Sequence, residues 1–103
     1  MPVIYHVTTL ESWQDAQDAG SYEARSLQTE GFIHCSKAGQ VAGVLQRYFA
    51  GQNNLVKLVI DTSKLTAPLQ YDLSPSLNET FPHVYGRINL DAVVDTEPLN
   101  KRI

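Results

Sequence analysis

The sequence is short of cysteine, of basic residues and of long apolar runs, and each shortage excludes a class of protein. Cys35 is the only thiol, so the fold has to stand without an internal disulfide. Eight Lys and Arg stand against eleven Asp and Glu, for a formal net charge of −3. The pI is near 5.4. This balance argues against a phosphate-backbone binder, and no nucleic-acid partner is expected, although a local basic pocket is compatible with it. No segment approaches the ~20 apolar residues that span a bilayer, so no membrane partner is expected. The opening Met1-Pro2-Val3-Ile4-Tyr5 lacks the charged head and apolar run of a signal peptide, which leads to the expectation of a cytoplasmic protein. Internal repeats, low-complexity tracts and linkers are missing, which suggests one domain over residues 1–103.

What is present suffices for a folded core: 43% hydrophobic residues against 18% charged ones. Val3 to Val7 is β-branched and aromatic and reads as a strand. Period-2 alternation puts Ile4, His6 and Thr8 on one face and Val3, Tyr5 and Val7 on the other. Thr8 and Glu11 have capping-box spacing, and a helix is predicted from Leu10 to Ala19, anchored by Trp13 and stopped by Gly20. Tyr22 to Glu30 reads as a short extended piece followed by a polar loop. Gly31 to Ser36 reads as a strand, with Phe32, His34 and Ser36 on one face. Ser36 is placed to cap an amphipathic helix from about Ala38 to Phe49, whose Val41, Val44, Leu45, Tyr48 and Phe49 follow helical spacing. Leu55 to Ile60 is almost wholly apolar and suits a central strand. One helical turn at 61–65, strands at 69–73, 81–85 and 92–97, and a polar loop at 74–80 complete the chain. About six strands and two helices predict an α+β fold with a mixed, mainly antiparallel split β-sheet.

The chemistry-bearing feature is a set of three histidines, His6, His34 and His83, each in a predicted strand. Each is followed two positions later by a hydroxyl residue: Thr8, Ser36 and Tyr85. Alternation places each pair on one face, and imidazole beside hydroxyl can both donate to and accept from sugar hydroxyls, amides or phosphate. A shared pocket is one reading. Satisfied sheet histidines, with Thr8 and Ser36 as helix caps, are the other. Three histidines also suit a zinc site, but no His-x-His pair or HExxH motif supports it. Cys35 adjoins His34, yet adjacent strand residues point to opposite faces, so Cys35 is expected inside with Ile33.

Around this set, Glu30 and Glu79 are the nearest carboxylates, and Arg25 and Arg87 the natural anion partners. Arg25 and Ser26 precede the second strand and are candidates for a rim. Gly86, after Tyr85, permits a sharp turn or close approach of a ligand. Phe32, Tyr48 and Phe49 offer a stacking surface or core packing.

Three segments carry a family resemblance: Ile4-Tyr5-His6-Val7-Thr8, Thr29-Glu30-Gly31-Phe32-Ile33-His34-Cys35-Ser36, and Phe81-Pro82-His83-Val84-Tyr85-Gly86. With the stretch from Gln40-Val41 through Tyr48-Phe49-Ala50-Gly51, they resemble a small bacterial family known as domain of unknown function 952, over the chain to about Pro98. The resemblance implies the fold of the ADP-ribosyltransferases, a split sheet whose cleft holds NAD in active relatives. It implies that His6 corresponds to the first-strand histidine that touches ribose and nicotinamide. Ser36 with His34 is a partial match to the element that shapes the nicotinamide pocket. The late-strand glutamate of active members has no counterpart around His83 and Tyr85; Glu79 and Glu97 are the nearest carboxylates. Without that fixed negative charge, stabilisation of an oxocarbenium-like centre is missing. Other relatives, which remove a phosphate from RNA by way of NAD, use basic and histidine residues.

The expectation is therefore a cleft for an NAD-like or ADP-ribose-like ligand, with NAD as the one candidate cofactor or substrate. Its ligand-binding set is His6, Thr8, Arg25, Ser26, His34, Ser36, His83, Tyr85 and Gly86. A small-molecule sensor or interaction module without chemistry is the alternative, and a metal-dependent hydrolase a third.

Overall fold

A computed structural model describes residues 2–99. The extended N-terminal segment forms β1 (Val3–Thr9), and Thr9 turns it into α1 (Leu10–Ala19). Thr9 Oγ1 accepts from Ser12 N, and Gly20 closes the helix in the left-handed conformation with φ 93°. The cap is thus Thr9. Thr8 lies one residue earlier in the strand, with its side chain on the opposite face and buried.

After β2 (Ser21–Tyr22) the chain makes α2 (Arg25–Glu30), where the sequence suggests only a polar loop. No residue of α2 is buried, so it has no apolar stripe to announce it. Gly31 ends it at φ 90°. Strand β3 is shorter than expected, Ile33–His34, and Ser36 makes an isolated bridge to Tyr5. Ser36 does not cap the next helix. A 3-10 turn at Ala38–Gln40 leads into α3 (Val41–Tyr48), and the Gln40 side chain accepts from Lys37 N.

Strands β4 (Leu55–Asp61), β5 (Leu69–Ser74), β6 (Glu79–Val84), β7 (Ile88–Asn89) and β8 (Val93–Pro98) complete the α+β fold. All strand pairings among the described residues are antiparallel, and the strands split into three sheets, ordered β1-β4-β8, β2-β7 and β3-β6-β5. The first and third sheets are stitched at one point. Tyr5 N donates to Ser36 O at 2.9 Å and Ser36 N to Tyr5 O at 2.7 Å.

One core gathers Ile4, Ile33, Leu58, Ile60, Val84 and Ile88, all essentially sealed from water. Cys35 lies in this core, as its place beside Ile33 requires. A smaller cluster of Val7, Val41 and Leu55, with Leu45 and Phe49, fixes α3 against β1 and β4. Between these two clusters the packing is incomplete, and a cavity remains.

Candidate functional site

The cavity has a volume of about 700 Å³. It lies where β1, β3, α3 and the β5–β6 hairpin meet. Val44, Tyr48 and Phe49 from α3 and Leu73, Leu77 and Phe81 from the hairpin give it apolar walls. His6, Thr8, Tyr22 and Ser36 are buried residues that reach it from inside. Glu30, His34, Arg47 and Tyr48 line it and are exposed, which puts them at its mouth.

The inner polar row has a definite proton order. His6 Nδ1 lies 2.6 Å from the His34 carbonyl oxygen, His6 Nε2 lies 2.8 Å from the Tyr22 hydroxyl, and that hydroxyl lies 2.9 Å from Thr8 Oγ1. A carbonyl only accepts, so Nδ1 carries a hydrogen. Burial pushes the His6 pKa down from 6.5 to about 4, outweighing the opposing bond to the His34 carbonyl, with the charge of His34 lowering it slightly further. The ring is therefore neutral near pH 7 and Nε2 accepts. Tyr22 then donates to His6, and Thr8 donates to Tyr22. The reverse order, with Tyr22 donating to Thr8, requires a doubly protonated ring. Burial also pushes the Tyr22 phenol up, so it stays protonated.

The second group lies on one face of the β3-β6-β5 sheet. His34 and His83 are cross-strand partners with ring centroids 5.1 Å apart. Phe32 stacks on His83 at 4.1 Å with the planes 17° apart. His83 Nδ1 lies 2.7 Å from Asp72 Oδ2, and the Tyr85 hydroxyl donates to the same oxygen at 2.5 Å. The bonds from Tyr85 and His83 hold the Asp72 carboxyl below its ordinary range, and the bond to Asp72 pushes the Tyr85 phenol up. At the mouth, His34 Nε2 lies 3.1 Å from Glu30 Oε1.

Of the residues singled out in the sequence, His6, Thr8, Ser26, His34, Ser36 and His83 line this one cavity. Ser26 is held there by donating to the Phe32 carbonyl at 2.8 Å. Arg25, Tyr85 and Gly86 do not line it. Arg25 starts α2 and is exposed. Tyr85 acts on Asp72 instead. Gly86 is a packing position: a Cβ there would come within 2.8 Å of the Ala67 Cβ. Arg87 pairs with Glu23 at 3.3 Å, and Glu79 accepts from Gln40 at 3.0 Å. Burial raises the Cys35 thiol, which opposes thiolate formation. No group of three His, Cys, Asp or Glu among the described residues is placed to hold a metal ion.

Three contributors are missing from the reading of the sequence: Tyr22, Asp72 and Arg47. Asp72 had a usable signal, since it alternates with two apolar neighbours, Tyr71 and Leu73, in a strand. Tyr22 was read only as the start of a short extended piece, and nothing there signals that its hydroxyl reaches His6 and Thr8. Arg47 reads as the polar face of a helix, yet among the described residues it is the one Lys or Arg on the cavity lining.

Similar solved structures share this architecture. Protein CC0527 from Caulobacter crescentus, by X-ray crystallography, superposes with a TM-score of 0.89 at 27% identity, covering 98% of this chain and 89% of its own. The solution NMR structure of CC0527 gives a TM-score of 0.83 at 28% identity, over 99% and 88%. No curated protein matches the chain. The family described as protein of unknown function (DUF952) matches residues 7–96, and the chain belongs to that family.

Proposed function

We propose that the cleft binds a small nucleotide-like ligand of the NAD or ADP-ribose kind. The observation that carries this reading is the buried His6–Tyr22–Thr8 row opening onto an apolar-walled cavity. Buried polar groups cost stability unless paired, and ligand sites combine apolar walls with a few such fixed polar groups. The volume, about 700 Å³, suits a small organic molecule. Tyr48, Phe49 and Phe81 offer ring faces for a base, Ser36 and Thr8 offer hydroxyls, and Arg47 supplies a cation for a phosphate. The ADP-ribosylation-type fold suggested by the signature segments agrees with such a cleft.

ADP-ribosyl transfer is not part of this reading. Glu30 is the one carboxylate on the lining among the described residues, and it is engaged by His34 at the exposed mouth. Both nitrogens of His6 are also engaged. This favours, as the second reading, a non-catalytic sensor built on the same cleft.

Thermal shift and calorimetric titration with NAD, ADP-ribose and AMP test the proposal. A ligand at 100 times its Kd adds about 2.7 kcal/mol of stability. The gain should vanish in His6→Ala and shrink in Arg47→Ala. No shift with any of the three would sink the nucleotide reading. Consumption of NAD over time would separate an enzyme from a sensor.

A further inference from the structure

We propose that His83 is the proton acceptor of the cleft, locked by Asp72 so that a bare Nε2 meets an O–H of the bound ligand. The proposal rests on the cleft being a ligand site and names what one side of that site recognises. An ionised carboxylate only accepts hydrogen bonds, so the Asp72 contact at 2.7 Å obliges His83 Nδ1 to carry the hydrogen. In the neutral ring that leaves Nε2 without one. Phe32 stacked on the ring and Tyr85 bonded to the same carboxylate oxygen fix both partners. His83 Nε2 has no partner among the described residues, and no described buried side-chain nitrogen lacks one. Nε2 therefore reaches open space, and His83 lines the cavity.

A carboxylate behind an imidazole is the arrangement that selects a tautomer and steadies the imidazolium once it forms. When a ligand hydroxyl approaches, Nε2 accepts its hydrogen bond. If the proton moves, it goes to Nε2, the electron pair stays on the oxygen, and Asp72 balances the new positive charge. His83 differs in this from His6, whose two nitrogens are both occupied within the protein. A sugar hydroxyl is the ligand group of matching chemistry.

Diethyl pyrocarbonate tests this, because it carbethoxylates only unprotonated imidazole nitrogen and the modified histidine is identified by peptide mass mapping. The folded full-length chain should be modified at His83. Asp72→Asn should slow that modification about tenfold, since an amide can donate to Nδ1 and move the hydrogen to Nε2. Tyr85→Phe keeps the carboxylate and should leave the rate within about twofold. Imidazole nitrogen NMR of the unaltered protein should show Nδ1–H and bare Nε2 in neutral His83, a readout that stands even if Asp72→Asn fails to fold. An Nε2–H signal from neutral His83 in the unaltered protein, or no modification at His83 in the folded chain, would overturn the proposal. Protection of His83 by NAD or ADP-ribose would support both readings together. A tautomer and rate pattern as expected, without protection or thermal shift, would retain the acceptor role and discard the nucleotide.

Discussion

Burying most of an imidazole favours its neutral form, and at His6 burial draws the pKa from 6.5 to about 4. The unfolded chain therefore binds a proton at His6 that the folded chain refuses. The associated stability is complete above pH 6.5, falls as the pH drops below it, and is gone once the pH has passed about 4. At ~1.4 kcal/mol per pKa unit the loss is about 3 kcal/mol. Urea unfolding at a series of pH values should show this decline, and His6→Ala should flatten it while costing about 2–3 kcal/mol at neutral pH. The depressed carboxyl of Asp72 acts in a lower window, its contribution being lost only as the pH falls below its ordinary value of 3.8. An acid limb in His6→Ala as steep above pH 4 as in the parent would contradict the neutral buried ring. Tyr22→Phe asks about the same row from the other side. It removes the donor to His6 Nε2 and the acceptor for Thr8, and should cost about 1–2 kcal/mol in denaturant unfolding.

Helix α1 turns on which of two adjacent threonines faces its first turn. Thr9 Oγ1 accepts from Ser12 N, so Thr9→Ala should destabilise by about 1 kcal/mol and fray the first turn. Thr8→Ala should leave helix content unchanged in circular dichroism and act on the cavity instead. The reverse ranking would restore the capping role that the Thr8–Glu11 spacing suggests. This misreading shows what was legible. The body of α1, Leu10–Ala19, follows from local pattern and ends at its glycine as expected. Leu55 to Ile60 was recognisable as a central strand because an apolar run needs cover on both faces. The short extended piece read at Tyr22 falls on β2, whereas β7 was hidden because two residues carry no period and only the pairing with β2 defines it. Helix α2 was hidden because none of its residues is buried. Thr8 and Ser36, read as cap candidates, were ambiguous because hydroxyls serve caps and cavities equally well; neither caps a helix. For the site, alternation sufficed to bring His34 and His83 to one sheet face. It marked Asp72 as the polar position between Tyr71 and Leu73 but not its partners, since the roles of Asp72 and Tyr22 depend on contacts across strands.

Across the whole molecule, the cavity walls and the strongest part of the fold come from different elements. Strand β4 is bonded on both sides, to β1 and β8, and its Val56, Leu58 and Ile60 are sealed in the main core. Strand β6 of the β5–β6 hairpin pairs with the two-residue β3 and receives bonds from Lys37, Gln40 and Cys35, while β5 forms the outer edge and exposes Tyr71 and Leu73. Helix α3 is held by the smaller cluster of Val7, Val41 and Leu55. Local opening draws on regions with few buried apolar contacts, so α3 and β5 should open well below the global unfolding free energy, while β6 is tied to the main core by Val84. Native-state hydrogen exchange should find the slowest amides in β4 and much faster ones in α3 and in β5. Leu55→Ala should cost about 2–5 kcal/mol and loosen α3 in particular, since it deletes a central contact of the cluster that anchors the helix. A ligand seated between α3 and the hairpin would then slow exchange on both walls together, while leaving β4, already at the global limit, almost unchanged. Exchange in α3 and β5 as slow as in β4 before any ligand is added would mean a cleft that is rigid and preformed, with no closing motion for a ligand to induce.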